Sequence, residues 1–204
     1  MDTPLPSVYD LWLFDVHDDK ETNEETFFDK IRKTIKITTL GDLSTFYSRF
    51  KKPKDMPGGC EIYLFKENIR PLWEDERNLE GGSFFLHIKK TFANKIWENL
   101  LMSVVSEAEP ELRCINGLIM RVLRLEVVFY VWTSKLKKSD EVKLIQWLKD
   151  TAGLSSKIKL EFKPHPKSAE KDVEKVEEPK IKEMPVDNKK PFGKFESDGE
   201  SHNS

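Results

Sequence analysis

Cysteine is scarce in this chain: there are two among 204 residues, Cys60 and Cys114, far apart and with no Cys-x-x-Cys or histidine spacing around either. A disulfide framework and a zinc site are therefore not expected, and a reducing compartment fits. Long apolar runs are missing too. None approaches the ~20 residues a bilayer span requires, and the opening MDTPLPSVYD has neither the basic nor the apolar segment of a signal peptide. Neither sign of charge dominates: 34 Lys and Arg stand against 36 Asp and Glu, a net charge of −2. No global field then draws the chain to nucleic acid or membrane, so an anionic ligand has to be held by a local pocket. Metal-ligand clusters, nucleophile motifs and phosphate-cradling glycine loops are lacking as well, which argues against an enzyme and against any cofactor or metal. What these absences leave is a cytoplasmic protein, with the nucleus as a second compartment, built around one sizeable core.

What the chain does have is aromatic residues, 13 Phe and 5 Trp. Residues 9–16, YDLWLFDV, put Leu11 and Leu13 on one face of a strand and Trp12 and Phe14 on the other, the pattern of a strand covered on both sides. After a polar, acidic run over 17–26, residues 33–38 form a short β-branched strand. Leu40, Leu43, Phe46, Tyr47 and Phe50 then recur at helical spacing behind Thr39 as N-cap. Strands are expected over 61–65 and 83–88, and a second helix presents Ile96, Trp97, Leu100, Leu101, Val104 and Val105. Residues 115–123 and 127–133 form a hairpin turning near 124–126. Ser139 is the expected cap of a third helix with apolar positions Val142, Leu144, Ile145 and Leu148, closed by Gly153. A half-exposed strand follows over 157–162, and the charged, apolar-poor tail cannot order itself. Without βαβ glycine signatures, the expected fold is α+β: one antiparallel sheet with about three helices on one face. The domain spans 1–166 and the disordered tail 167–204.

The stretch 71–82, PLWEDERNLEGG, stands out. Pro71 disfavours helix at Arg70, and Gly81 and Gly82 close the stretch before the next strand. No apolar period runs through it, so it is a loop joining two strands. Trp73 beside Glu74 offers a π face and a two-oxygen acceptor together, which suits a planar, electron-poor ring with adjacent N–H donors. The other reading is a Trp folded onto the core beside a solvated acidic turn; on the binding reading, Trp73 and Glu74 matter while Asp75 does little.

The order Trp12, Trp73 with Glu74, Trp97, Trp132 on this element string resembles the eukaryotic translation initiation factor 4E family, which binds the 7-methylguanosine cap of messenger RNA. The likeness is closest in MPGGCEIYLFKENIRPLWEDERNLEGG, residues 56–82, and in VWTS around Trp132, and it covers about residues 4–165. The resemblance implies a strongly curved sheet, three helices on its convex side and a ligand slot on the concave side. It also implies binding rather than catalysis. Two aromatic plates sandwich the charged methylated ring, each contact worth roughly 1–3 kcal/mol. Trp73 is one plate; Glu74 accepts from the guanine edge, and Trp132 touches the methyl group. The second plate falls on Phe27, with Phe28 as rival. Tyr9 and a Phe plate, where many members have Trp, resemble the family's second class, which includes translational repressors.

Two further faces depart from the family pattern. The Arg and two Lys that hold the cap phosphates match Leu123, Leu125 and Val128 here, so Arg121, on the same strand face as Leu123, Arg124 near the turn and Lys167 are the candidate substitutes. On the convex face, a Tyr-x-x-x-x-Leu-apolar helix of a 4G-type scaffold or an inhibitor docks on a Trp that here is Ser44. Leu40 keeps the neighbouring apolar contact, while the second helix offers Glu98 and Asn99. The implied partners are capped mRNA and a scaffold or repressor protein with an altered motif. The implied roles are translation initiation, cap-binding repression, or interaction alone with weakened cap affinity.

Overall fold

Strand β1 (Pro4–Phe14) lies between β2 (Ile31–Thr39) and β3 (Glu61–Lys66), and its side chains alternate between two apolar layers. Tyr9 and Leu11 enter the main core, while Trp12 and Phe14 pack in a second cluster on the opposite face. The computed structural model describes residues 2–14, 30–154, 160 and 162–166. These all belong to one unit, Met1–Lys171. The tail, Phe27, Phe28, Lys167 and most of the strand expected over 157–162 lie outside the described residues.

The remaining strands are β4 (Gly82–Lys89), β5 (Ile115–Val122), β6 (Glu126–Thr133) and β7 (Phe162–Pro164). They build a curved, open seven-stranded sheet ordered β2-β1-β3-β5-β6-β4-β7, in which every neighbouring pair is antiparallel. Because strand side chains alternate, each strand has one set for each face. Ile62, Leu64, Leu118, Met120, Phe129 and Val131 face three helices, α1 (Leu40–Arg49), α2 (Lys90–Ser106) and α3 (Lys138–Ala152). The alternate set, Tyr63, Phe65 and Ile119 with Tyr130 and Trp132, lines the other face.

Helix α1 starts where expected. The Thr39 hydroxyl accepts from the Asp42 backbone N–H at 3.1 Å, and the Asp42 carboxylate accepts from the Thr39 N–H at 3.0 Å, a reciprocal cap. Trp97 of α2 is core: it is 4% exposed and stacks on Phe129, centroids 6.0 Å apart. At α3 two expectations are corrected. The N-cap is Lys137, whose carbonyl accepts from the Asp140 and Glu141 N–H groups at 3.0 Å, and the Ser139 hydroxyl bonds Asp140 instead. Val142 is not a core position but 59% exposed; Leu144 and Leu148 make the buried stripe. Gly153 ends the helix in the left-handed region at φ +61°, as its sequence position predicts.

Candidate functional site

The connection from β3 to β4 is ordered by its own polar side chains. Asp75, expected to be solvated and idle, is 8% exposed. Its carboxylate accepts from the Arg70 and Arg77 backbone N–H groups, both at 3.1 Å, and pairs with Arg70 Nε at 3.3 Å. Asn78 is fully buried and donates to the carbonyls of Arg70 at 2.9 Å and Leu72 at 2.8 Å. Asn116 of β5 donates to Arg77 O and to Asn78 Oδ1, both at 2.9 Å, fixing the loop to the sheet. The far end of the loop is pressed against β6: a Cβ on Gly81 would collide with the Thr133 carbonyl. Buried polar groups satisfied on every side make a rigid support. Trp73 and Glu74 ride on it, the indole half-buried and the carboxylate exposed.

These two residues form one wall of a cavity of about 610 Å³. Its floor comes from the concave face of the sheet, through Tyr63, Ile119, Arg121, Tyr130 and Trp132. Trp132 is set by the edge of Phe65, at 5.5 Å and 81°, and by the His165 ring at 4.2 Å. His165 itself is 8% exposed; its backbone N–H donates to Gly81 O at 3.0 Å, and its ring Nδ1 lies 2.8 Å from Asn78 O. Donation from the ring to the Asn78 carbonyl assigns the proton to Nδ1. Burial lowers the ring's pKa, against the opposing pull of the carbonyl. A neutral imidazole thus joins the loop to the back of Trp132.

At the other end of the floor, Glu61 and Arg121 are direct cross-strand partners. Arg121 Nε lies 2.7 Å from Glu61 Oε1 with its N–H misaligned, so the contact is an ion pair rather than a formed hydrogen bond. The Tyr63 hydroxyl donates to the other Glu61 oxygen. The guanidinium sits 5.8 Å from the Tyr130 ring centre. Burial and the Glu61 charge both raise the Tyr63 pKa, and burial raises that of Tyr130. For Arg121, burial is the largest influence and pulls the pKa down, but the Glu61 carboxylate together with Tyr130 and Tyr63 outweighs it, leaving it raised. Both phenols are neutral and the guanidinium charged at any ordinary pH.

Of the site residues expected from sequence, Trp73, Glu74, Trp132 and Arg121 meet in this cavity. Arg124 does not line it; it stands exposed in the hairpin turn. Leu123 and Leu125 are 39% and 74% exposed, and Val128 is buried. On the helical side Leu40 is 48% exposed and Ser44 exposed, with Glu98 half-buried. Asn99 is committed elsewhere: its amide donates to Thr151 O at 2.9 Å across the α2–α3 seam. Glu61, Tyr63 and Tyr130 were not anticipated. Strand parity and the β3–β5 register give them, because residues 130 and 132, 119 and 121, and 61 and 63 share a face. Among the described residues no group of three or more His, Cys, Asp or Glu could hold a metal. Burial pushes the Cys114 thiol up to about 11, far from a nucleophile's range.

A family model described as Eukaryotic initiation factor 4E matches residues 4–180. The Eukaryotic translation initiation factor NCBP of Oryza sativa subsp. japonica is 28% identical over 145 residues, 69% of this chain and 63% of its own length, so the match spans less than two thirds of the rice protein. Among solved structures, Ascaris suum eIF4E-3 with an m7G cap aligns at a TM-score of 0.72 and 26% identity, over 81% of this chain and 93% of that one. C. elegans eIF4E-3, in complex with the 4E-binding protein Mextli and a cap analog, aligns at 0.73 over 81% and 94%, its 23% identity a likeness of fold.

Proposed function

The chain belongs to the eukaryotic initiation factor 4E family, and from that premise we propose that it binds the 7-methylguanosine cap of mRNA in the cytoplasm, in translation initiation. The observation that carries this reading is that Trp73, Glu74 and Trp132 line one cavity on the concave face. A methylated guanine ring carries a delocalised positive charge. Trp73 stacks on it, Glu74 accepts from N1–H and the exocyclic amine, and Trp132 contacts the methyl group. The related Ascaris protein was solved with an m7G cap, which supports the same ligand class here. Phe27 remains the proposed second plate, and Lys167 a proposed phosphate contact.

The test is quenching of tryptophan fluorescence by 7-methyl-GTP and by GTP. A clear preference for the methylated nucleotide is expected, because only its ring is cationic; equal affinities refute the reading.

A second reading keeps the cap site but replaces initiation by repression. Ser44, exposed on α1 where a scaffold-binding member has Trp, favours it. Either a co-adapted scaffold or a repressor protein docks there. Recovery of a 4G-type scaffold in a pull-down supports initiation, whereas its absence alongside retained cap binding supports repression.

A further inference from the structure

Two cations and two carboxylates of the described residues line the cavity: Arg70, Arg121, Glu61 and Glu74. Arg70 is already paired with Asp75 in the loop. Arg121 is the cation of the floor, and its charge is not available undiminished. Glu61 is its cross-strand partner, 2.7 Å away, and the Glu61 side chain is only 13% exposed against 43% for Arg121. Cross-strand neighbours are fixed by the sheet itself, so Glu61 cannot drift away as a surface residue would. Its second oxygen is held by the Tyr63 hydroxyl from the same strand. Tyr130 backs the guanidinium from β6.

We propose that Glu61 is a specificity residue: by neutralising Arg121 it makes the pocket select a nucleotide by the charge on its ring and not by the number of its phosphates. The inference rests on the cap reading above and deepens it. A phosphate approaching the floor meets an attracting and a repelling charge at similar range, so their fields largely cancel. Glu61 meets Arg121 at its Nε edge, and the terminal nitrogens of the guanidinium are further donors. In the hairpin, Leu123, Leu125 and Val128 carry no charge, and Arg124 stands exposed in the turn outside the cavity lining. The ring end of the pocket has its own carboxylate, Glu74. The ligand class that fits is therefore a 7-methylguanine nucleotide of any phosphate length, including short ones.

Affinities of 7-methylguanosine, 7-methyl-GMP and 7-methyl-GTP decide the matter, measured on the full chain and on Glu61→Gln. Glutamine keeps the length and an oxygen acceptor for the Tyr63 hydroxyl but removes the charge. For the natural chain the triphosphate is expected to bind within about fivefold of the monophosphate. In Glu61→Gln that ratio rises by about tenfold, ~1.4 kcal/mol, with nucleoside affinity nearly unchanged. A hundredfold gain from monophosphate to triphosphate in the natural chain, left unaltered by Glu61→Gln, overturns this inference while leaving cap binding intact. Failure of all three methylated ligands to bind overturns the cap reading and this inference together. Should the variant not fold, salt is the second measurement. The natural chain's triphosphate affinity is expected to change less than about threefold between ~0.05 and ~0.3 M salt, and a steep fall refutes the neutralised grip.

Discussion

Replacing Asp75 with alanine is the sharpest test of how the β3–β4 loop is held. The carboxylate satisfies two backbone donors, Arg70 N–H and Arg77 N–H, at 3.1 Å each, and one oxygen also faces Arg70 Nε at 3.3 Å. Hydrogen bonds to a charged acceptor contribute about 1.5–3 kcal/mol apiece. Both donors flank Trp73 and Glu74, at the start and middle of the loop. Water can re-enter once the carboxylate is gone, since Arg70 and Arg77 are themselves exposed, so the lower end applies and the loop loses about 3 kcal/mol of ordering. If only the ordered loop binds, apparent affinity falls with the competent fraction. At ~1.4 kcal/mol per decade the expected loss is up to about a hundredfold.

Asparagine separates hydrogen bonding from mere size. Both Asp75 oxygens accept, one from Arg77 and the other from Arg70, whereas an amide can accept on one side only. Asp75→Asn should therefore resemble Asp75→Ala, and Glu76→Ala, at an exposed position in the same turn, should match the natural chain. Nucleotide titration by fluorescence, with trypsin cleavage after Arg77 as a readout of loop order, measures both consequences. An Asp75→Ala protein that binds 7-methyl-GTP within twofold of the natural chain and resists trypsin equally would refute the reasoning.

Other consequences are as direct. A Cβ on Gly117 would sit 2.5 Å from Phe65 ring carbon Cγ, so Gly117→Ala should push that ring towards Trp132, lowering the melting temperature by overpacking of about 1–3 kcal/mol and weakening ligand binding. Asp42 is held down to about 2 by hydrogen bonds from Thr38 and then Thr39. A depressed carboxylate stabilises the fold fully above its unfolded pKa, near 4, and the contribution is lost as pH falls towards 2; acid titration of Asp42→Asn, followed by circular dichroism, should lack that part of the transition. On α1, Ser44→Trp together with Glu98→Leu should tighten a Tyr-x-x-x-x-Leu peptide by more than tenfold, since ~100 Å² of apolar surface at ~25 cal/mol per Å² is worth ~2.5 kcal/mol. Tight calorimetric binding of that peptide to the unaltered chain would show that Ser44 is not on the partner face.

Much of the architecture was legible because it is written in local signals. Thr39 before an apolar period of 3.6 gave the start of α1, and Gly153 the end of α3. The hairpin turn lay where two β-rich runs met, and the double-faced apolar pattern of β1 announced a sheet covered on both sides. The start of α3 was misplaced because Ser139 is a good cap in isolation, yet the chain enters the helix two residues earlier with acidic Asp140 and Glu141 already in its first turn. In the site, Trp73 and Glu74 were legible as a pair of types. Their support was not, because Asn78 and Asn116 are 38 positions apart and only the fold makes them partners.

The same sheet explains why two tryptophans that look alike in sequence serve opposite ends. Trp97 reaches Phe129 on the helical side, whereas Trp132, three positions on from Phe129, opens onto the cavity beside Tyr130. An odd offset along a strand reverses the face, and an even one keeps it. Phe129 and Val131 are therefore core, and Tyr130 and Trp132 are floor. A one-residue slip of β6 against β5 would exchange them, burying the floor aromatics under α2 and exposing the core. Gly117, opposite Trp132 at the register shift of β5, helps prevent this, since its missing side chain is the space that Phe65 fills. The cavity floor and the core are thus two readings of one register, and a substitution that disturbs the register must damage both.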